Sequence, residues 1–131
     1  MARAKKHTRY GYPPDVWSRA AVELEAVLAA HARRRETVTY GEFVRELTAI
    51  TLQPHSYALP ALLQEVDRRT FASEGVMLAA IVRHKSGDGM RGNRFFTAAE
   101  ELGRDVGDRR AFWEAEVARV FDRYARDGRV D

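Results

Sequence analysis

The stretch that most limits how this chain can fold is Val76 to Val82, seven apolar residues in a row (VMLAAIV). Gly75 precedes it, and Arg83, His84 and Lys85 follow it. A short unbroken apolar run bounded by turn and charged residues reads as a buried strand, because neither face can be given to water. The chain then enters a loop with Gly87, Gly89 and Gly92, carries Arg91 and Arg94, and closes on Phe95–Phe96. The expectation is a core strand that delivers a cationic loop to the surface, where it suits an acidic partner.

With 131 residues the chain is sized for one domain that buries a core without staples. It has no cysteine, which removes disulfides, thiol nucleophiles and cysteine-ligated zinc. Of its 22 lysines and arginines only Lys5, Lys6 and Lys85 are lysine, and the net charge is +3. Arginine supplies forked donors suited to phosphate and guanine. No apolar stretch approaches the roughly 18 residues of a membrane span, and no secretory h-region is seen. A cytoplasmic protein without a membrane partner is expected.

Residues 1–12 hold Arg3, Lys5, Lys6, His7 and Arg9 with no acid, and read as a basic flexible arm. Residues 13–131 read as the domain. A helix is expected from Asp15, as N-cap, to about Arg34, burying Trp17, Ala21, Leu24 and Leu28. Thr37–Tyr40 reads as a short strand and Glu42–Thr48 as a short helix. A further helix is expected from Ser56 or Tyr57, with Pro60 tolerable only in its first turn. Phe95–Leu102 reads as a helix rather than a returning strand, since it is rich in helix formers and Gly103 suits its C-terminus. Asp108 should cap a last helix, Arg109–Arg126, that buries Phe112, Trp113, Val117, Val120, Phe121 and Tyr124.

The fold class expected is α+β and mostly helical, with a sheet of two or three strands. The order helix, strand, helix, helix, strand, loop matches a winged helix-turn-helix with an extra C-terminal helix. In such modules the helix after the turn enters the major groove and the loop is the wing. That arrangement puts Ser56, Tyr57, Gln64 and Arg68 towards the groove, and Lys85, Arg91, Asn93 and Arg94 on phosphate or the minor groove. Lys5 and Lys6 of the arm add charge.

Thr39-Tyr40-Gly41-Glu42 and Ile81-Val82-Arg83 loosely resemble stretches of the DNA-binding domain of the alkylguanine-DNA alkyltransferases. The Pro-Cys-His-Arg motif of that family is missing, which excludes alkyl transfer. Tyr40 to Tyr124 resembles a group of small uncharacterised bacterial and phage proteins. Their pattern is an apolar strand, a Lys-x-x-Gly-x-x-Gly-x-x-Phe-Phe loop, a short helix ending Leu-Gly, and a Phe-Trp-x-x-Glu helix. It is carried here by Lys85, Phe95–Phe96, Leu102-Gly103 and Phe112-Trp113-x-x-Glu116. That resemblance implies a helix over Phe95–Leu102 and carries no known activity.

Chemistry is weakly supported. His7, His31, His55 and His84 are scattered and lack metal-ligand spacing. Gly87-Asp88-Gly89 lacks the Gly-Lys-Ser/Thr of a nucleotide loop. No catalytic residue, metal or cofactor is therefore expected. Two readings stay open: a non-enzymatic nucleic-acid-binding module, with duplex DNA as partner, and a protein-interaction module or accessory subunit. Arginines gathered on one face would favour the first, and a flat apolar patch beside the loop the second.

Overall fold

The computed structural model describes residues 11–50, 57–85 and 89–127. Five helices, one 3₁₀ segment and a two-stranded parallel sheet make up these residues. In chain order they are α1 (Pro14–Arg33), β1 (Val38–Thr39), α2 (Tyr40–Glu46), α3 (Ala58–Glu74), the 3₁₀ segment Leu78–Ile81, β2 (Val82–Arg83), α4 (Asn93–Glu101) and α5 (Arg109–Asp127). The molecule is α+β and predominantly helical.

Helix α1 starts at Pro14 rather than after Asp15, so Asp15 stands in the first turn, where its charge favours the exposed amides. Its apolar face buries Trp17, Ala20, Ala21, Leu24 and Leu28 against α3, α5 and the 3₁₀ segment. Thr39 then does two things. It pairs with Arg83 in the sheet, and its side chain accepts from the Glu42 amide while the Glu42 carboxylate accepts from the Thr39 amide. This capping box starts α2 at Tyr40, two residues before the expected Glu42, and shortens the expected strand. Gly75 ends α3 at φ 76°, a left-handed C-terminus that glycine adopts without a Cβ penalty. Asp108 caps α5 as expected, accepting from the Ala111 amide at 2.8 Å.

The apolar run is buried throughout, but it is not the strand that was expected. Only Val82 and Arg83 pair, in parallel with Val38 and Thr39, while Leu78–Ile81 form a 3₁₀ turn. An irregular backbone in a dry interior leaves peptide groups that must find partners. Side chains supply them here. Glu116 accepts from the Met77 amide at 2.8 Å, Thr70 from Leu78 at 3.1 Å and Asp67 from Ala79 at 2.8 Å. Arg91 donates to the Ala79 carbonyl, and the Trp113 indole donates to the Ala80 carbonyl at 2.8 Å. Asp67 and Thr70 come from α3, Glu116 and Trp113 from α5. The central segment is thus held by polar tips reaching in from both sides.

The expected pairing of Thr37–Tyr40 with part of Met77–Lys85 is present at Val38–Val82 and Thr39–Arg83. Among the described residues no strand follows the loop. From Gly92 the chain passes directly into α4, the helical alternative for Phe95–Leu102. Phe95 and Phe96 pack edge-on and meet Phe112 of α5, which ties α4 to the core. Trp113, Leu24 and Ile81 are buried as expected. Phe121 and Val117 are only partly covered, because the α5 stripe is wider than the core it faces. Among the described residues no helix is long and apolar enough to cross a membrane.

Candidate functional site

Three parts of the chain meet around Tyr40 and His84: the start of α2, one face of α3, and residues 83–85 and 91–95 on either side of the loop. The rings of Tyr40 and His84 stack at 4.8 Å with 21° between their planes. The His84 amide donates to the Gly89 carbonyl at 3.0 Å, which closes the base of the loop. A cavity of about 280 Å³ lies on one side of the stack, walled by Gln64 and Pro60 of α3, the start of α4, and the rings of Tyr40 and Phe95. An open hollow lies on the other side, edged by Arg45, Arg83 and Lys85 with Glu42 among them. Tyr40 and His84 line both, so the two form one continuous surface.

The charge on this surface is unlike that on the rest of the molecule. Many arginines elsewhere are held by acids: Arg19 by Asp15, Arg34 by Glu36, Arg35 by Asp122, Arg68 and Arg69 by Glu65, Arg104 and Arg119 by Glu116. Among the described residues no ion pair involves Arg45, Arg83, Lys85, Arg91 or Arg94. Arg83 donates to the Thr37 hydroxyl at 3.0 Å, and Arg94 reaches only the amide oxygen of Gln64, at 3.4 Å. Glu42 lies in the field of Arg83 and Arg45 and Asp67 in that of Arg91, so five cations against two acids leave this surface net positive.

The residues expected to contact nucleic acid divide into four groups. Gln64, Arg91, Asn93 and Arg94 come together in the cavity. Lys85 is exposed at the edge of the adjoining hollow. Tyr57 is 89% exposed, and Arg68 is exposed but bonded to Glu65. Lys5, Lys6 and Ser56 lie outside the described residues. Arg91 requires a correction. It was expected on an exposed loop, yet it is only 8% exposed. Its guanidinium is fixed by the Ala79 carbonyl and lies 4.6 Å from the Phe95 ring centre. The Ala79 carbonyl, which also accepts from the Val82 amide, takes the guanidinium as a second donor and holds it inward. Arg45, Arg83, Tyr40 and Asp67 were missed. The Thr39–Glu42 capping box, which orients Tyr40 and Arg45, was the available signal for two of them.

Asp67 forms part of the cavity wall and is only 2% exposed. Burial, with the like charge of Glu116, raises its pKa from 3.8 to about 7, against the lowering effects of Arg91 and the Ala79 amide. A carboxyl whose pKa is higher folded than unfolded contributes stability that is complete below pH 4 and is lost as pH climbs towards 7. Asp67→Asn keeps the acceptor for Ala79 and removes the titration. Relative to that variant, the wild type should lose roughly 2–3 kcal/mol between pH 5 and pH 8. Urea unfolding across this range measures it; curves that run parallel for the two proteins would show that Asp67 does not titrate there.

No metal-ligating cluster of three or more histidines or acids occurs among the described residues. No family model, curated protein or solved structure is significantly similar to this chain, so the surface around Tyr40 and His84 is interpreted on its own geometry.

Proposed function

We propose that the protein is a non-enzymatic nucleic-acid-binding module that engages duplex DNA through the surface around Tyr40 and His84. One observation carries this reading: Arg45, Arg83, Lys85, Arg91 and Arg94 share that surface with no ion pair at contact distance among the described residues, while many arginines elsewhere are paired with acids. A backbone phosphate is the partner that such a set lacks, and neutralising phosphates releases condensed counterions. The order helix, strand, helix, helix, strand, loop supports a winged-helix-like reading, with α3 as the helix offered to the groove and the loop before α4 in the place of a wing. In this arrangement Arg94 and Lys85 meet phosphates and Gln64 and Tyr57 face the bases. Arg91 supports the loop from within. The basic arm adds charge along the backbone.

Arg94→Ala with Lys85→Ala tests this directly. Each phosphate contact removed should flatten the dependence of log affinity on log salt by about 0.9. The weakening should be similar for every duplex sequence, since such contacts position the protein and carry no sequence information. The fold should be retained, because both side chains are exposed. Gel-shift titrations at several salt concentrations measure both quantities. Absence of wild-type binding to random duplex at about 100 mM salt would end the DNA reading.

The second reading, a protein-interaction module, has its own support. A shallow apolar groove on α5 is lined by Trp113, Val117, Ala118 and Phe121 with Thr37 and Glu114. Partly exposed aromatic and branched side chains of this kind are frequent at interfaces.

A further inference from the structure

The cavity beside the Tyr40–His84 stack is smaller than the hollow next to it and has two almost wholly covered charged residues in its wall. A duplex backbone runs past a surface, and its internal phosphodiesters leave in two directions. Asp67 and Arg91 in the wall of this cavity are both almost wholly covered.

The walls specify the chemistry of that group. Arg91 is more than nine-tenths buried, lines the cavity, and its Nε has no hydrogen-bond partner. Arg94 and His84 stand at the same cavity, and neither forms an ion pair there among the described residues. Helix α4 opens on it through Gly92 and Asn93, and no side chain caps that end. Uncapped helix amides and the positive end of the helix favour an anion. Gln64 and Asn93 add neutral polar groups. Asp67 is the one acid among the described wall residues; it accepts from the Ala79 amide and offsets part of the Arg91 charge, which leaves Arg94 uncompensated at the cavity.

We propose that this cavity seats a phosphomonoester, the terminal phosphate of a nucleic-acid strand, with Arg94, His84 and the α4 N-terminus as its donors and Arg91 as the buried charge behind them. A terminal phosphate carries three free oxygens and accepts from several donors at once, where an internal diester offers two. The inference rests on the nucleic-acid reading for the source of the phosphate, and on the cavity alone for its chemistry.

The test compares one oligonucleotide in three forms: 5′-phosphorylated, 3′-phosphorylated and with both ends hydroxyl. Binding is measured by fluorescence anisotropy at fixed salt. One of the phosphorylated forms should bind about tenfold tighter than the hydroxyl form, the equivalent of about 1.4 kcal/mol. Asn93→Asp should abolish that preference, because it places a negative charge at the mouth. It keeps the oxygen that accepts from Arg109 and suits a helix N-terminus, so the fold is maintained. Arg94→Gln should reduce the preference in the same way. In parallel, a nucleoside monophosphate is titrated while the amide resonances of Asn93 and Arg94 are followed. Equal binding of all three forms would overturn the inference and leave the duplex reading standing. Shifts with the monophosphate, but no binding of any oligonucleotide, would support the phosphomonoester seat and overturn the strand as its source. Failure of both would overturn the cavity as a ligand site.

Discussion

Glu116→Ala should cost about 3–5 kcal/mol, the range for removing one partner of a buried ion pair. Glu116 is fully buried, and its two oxygens answer to three separate groups. They accept from the Met77 amide at 2.8 Å, from Arg104 at 3.0 Å and from Arg119 at 2.8 Å. Alanine strands the amide in the interior and leaves two guanidinium groups facing each other across a hole. Arg104 is further tied to the Gly75 carbonyl and lies over the Phe71 ring, so it does not swing freely to water. Glu116→Gln keeps the volume and an acceptor for Met77, and should lose about half as much, since only the charge-assisted part of the bonding goes. Denaturant unfolding of both variants separates the two contributions. A loss below about 1 kcal/mol for the alanine variant would mean that the Met77 amide finds water instead.

The second large effect is expected at Trp113. Trp113→Ala should cost about 3–5 kcal/mol, as truncation of a large buried aromatic does. The ring fills the space between α5 and the 3₁₀ segment, and its indole donates to the Ala80 carbonyl at 2.8 Å. Trp113→Phe retains most of the packing and drops the hydrogen bond, so its cost should fall nearer 1–2 kcal/mol. An unchanged melting temperature for the alanine variant would show that α5 is not docked through this residue.

Helix placement was readable because amphipathic spacing and terminal residues act locally. Asp108, Gly75 and Gly103 stand at the ends that their chemistry favours, and Pro60 stands in a first turn. Burial of Val76–Val82 was readable for the same reason: hydrophobicity needs no partner to be recognised. Its backbone shape was not, because a strand and a 3₁₀ turn bury the same side chains. The choice was made by Asp67, Thr70, Arg91, Trp113 and Glu116, residues that lie between 8 and 39 positions from the groups they satisfy. The site followed the same division. Arg94, Gln64 and Asn93 were found from their order in the chain, while the burial of Arg91 depended on a carbonyl twelve residues away. Arg45 and Arg83 joined the site only through the pairing of β1 with β2, which no local pattern encodes.

The polar tips that hold the 3₁₀ segment have a consequence for synthesis of the chain. Two of the five, Trp113 and Glu116, belong to the last helix. A nascent chain that has released everything through α4 therefore carries VMLAAIV with its Met77 amide and Ala80 carbonyl unanswered. Seven apolar residues with open backbone groups are the kind of segment that pairs with a neighbour's strand. The vulnerable interval ends when α5 docks. Docking of α5 is thus the step that covers this segment, and until then the centre of the future core depends on being shielded from other chains.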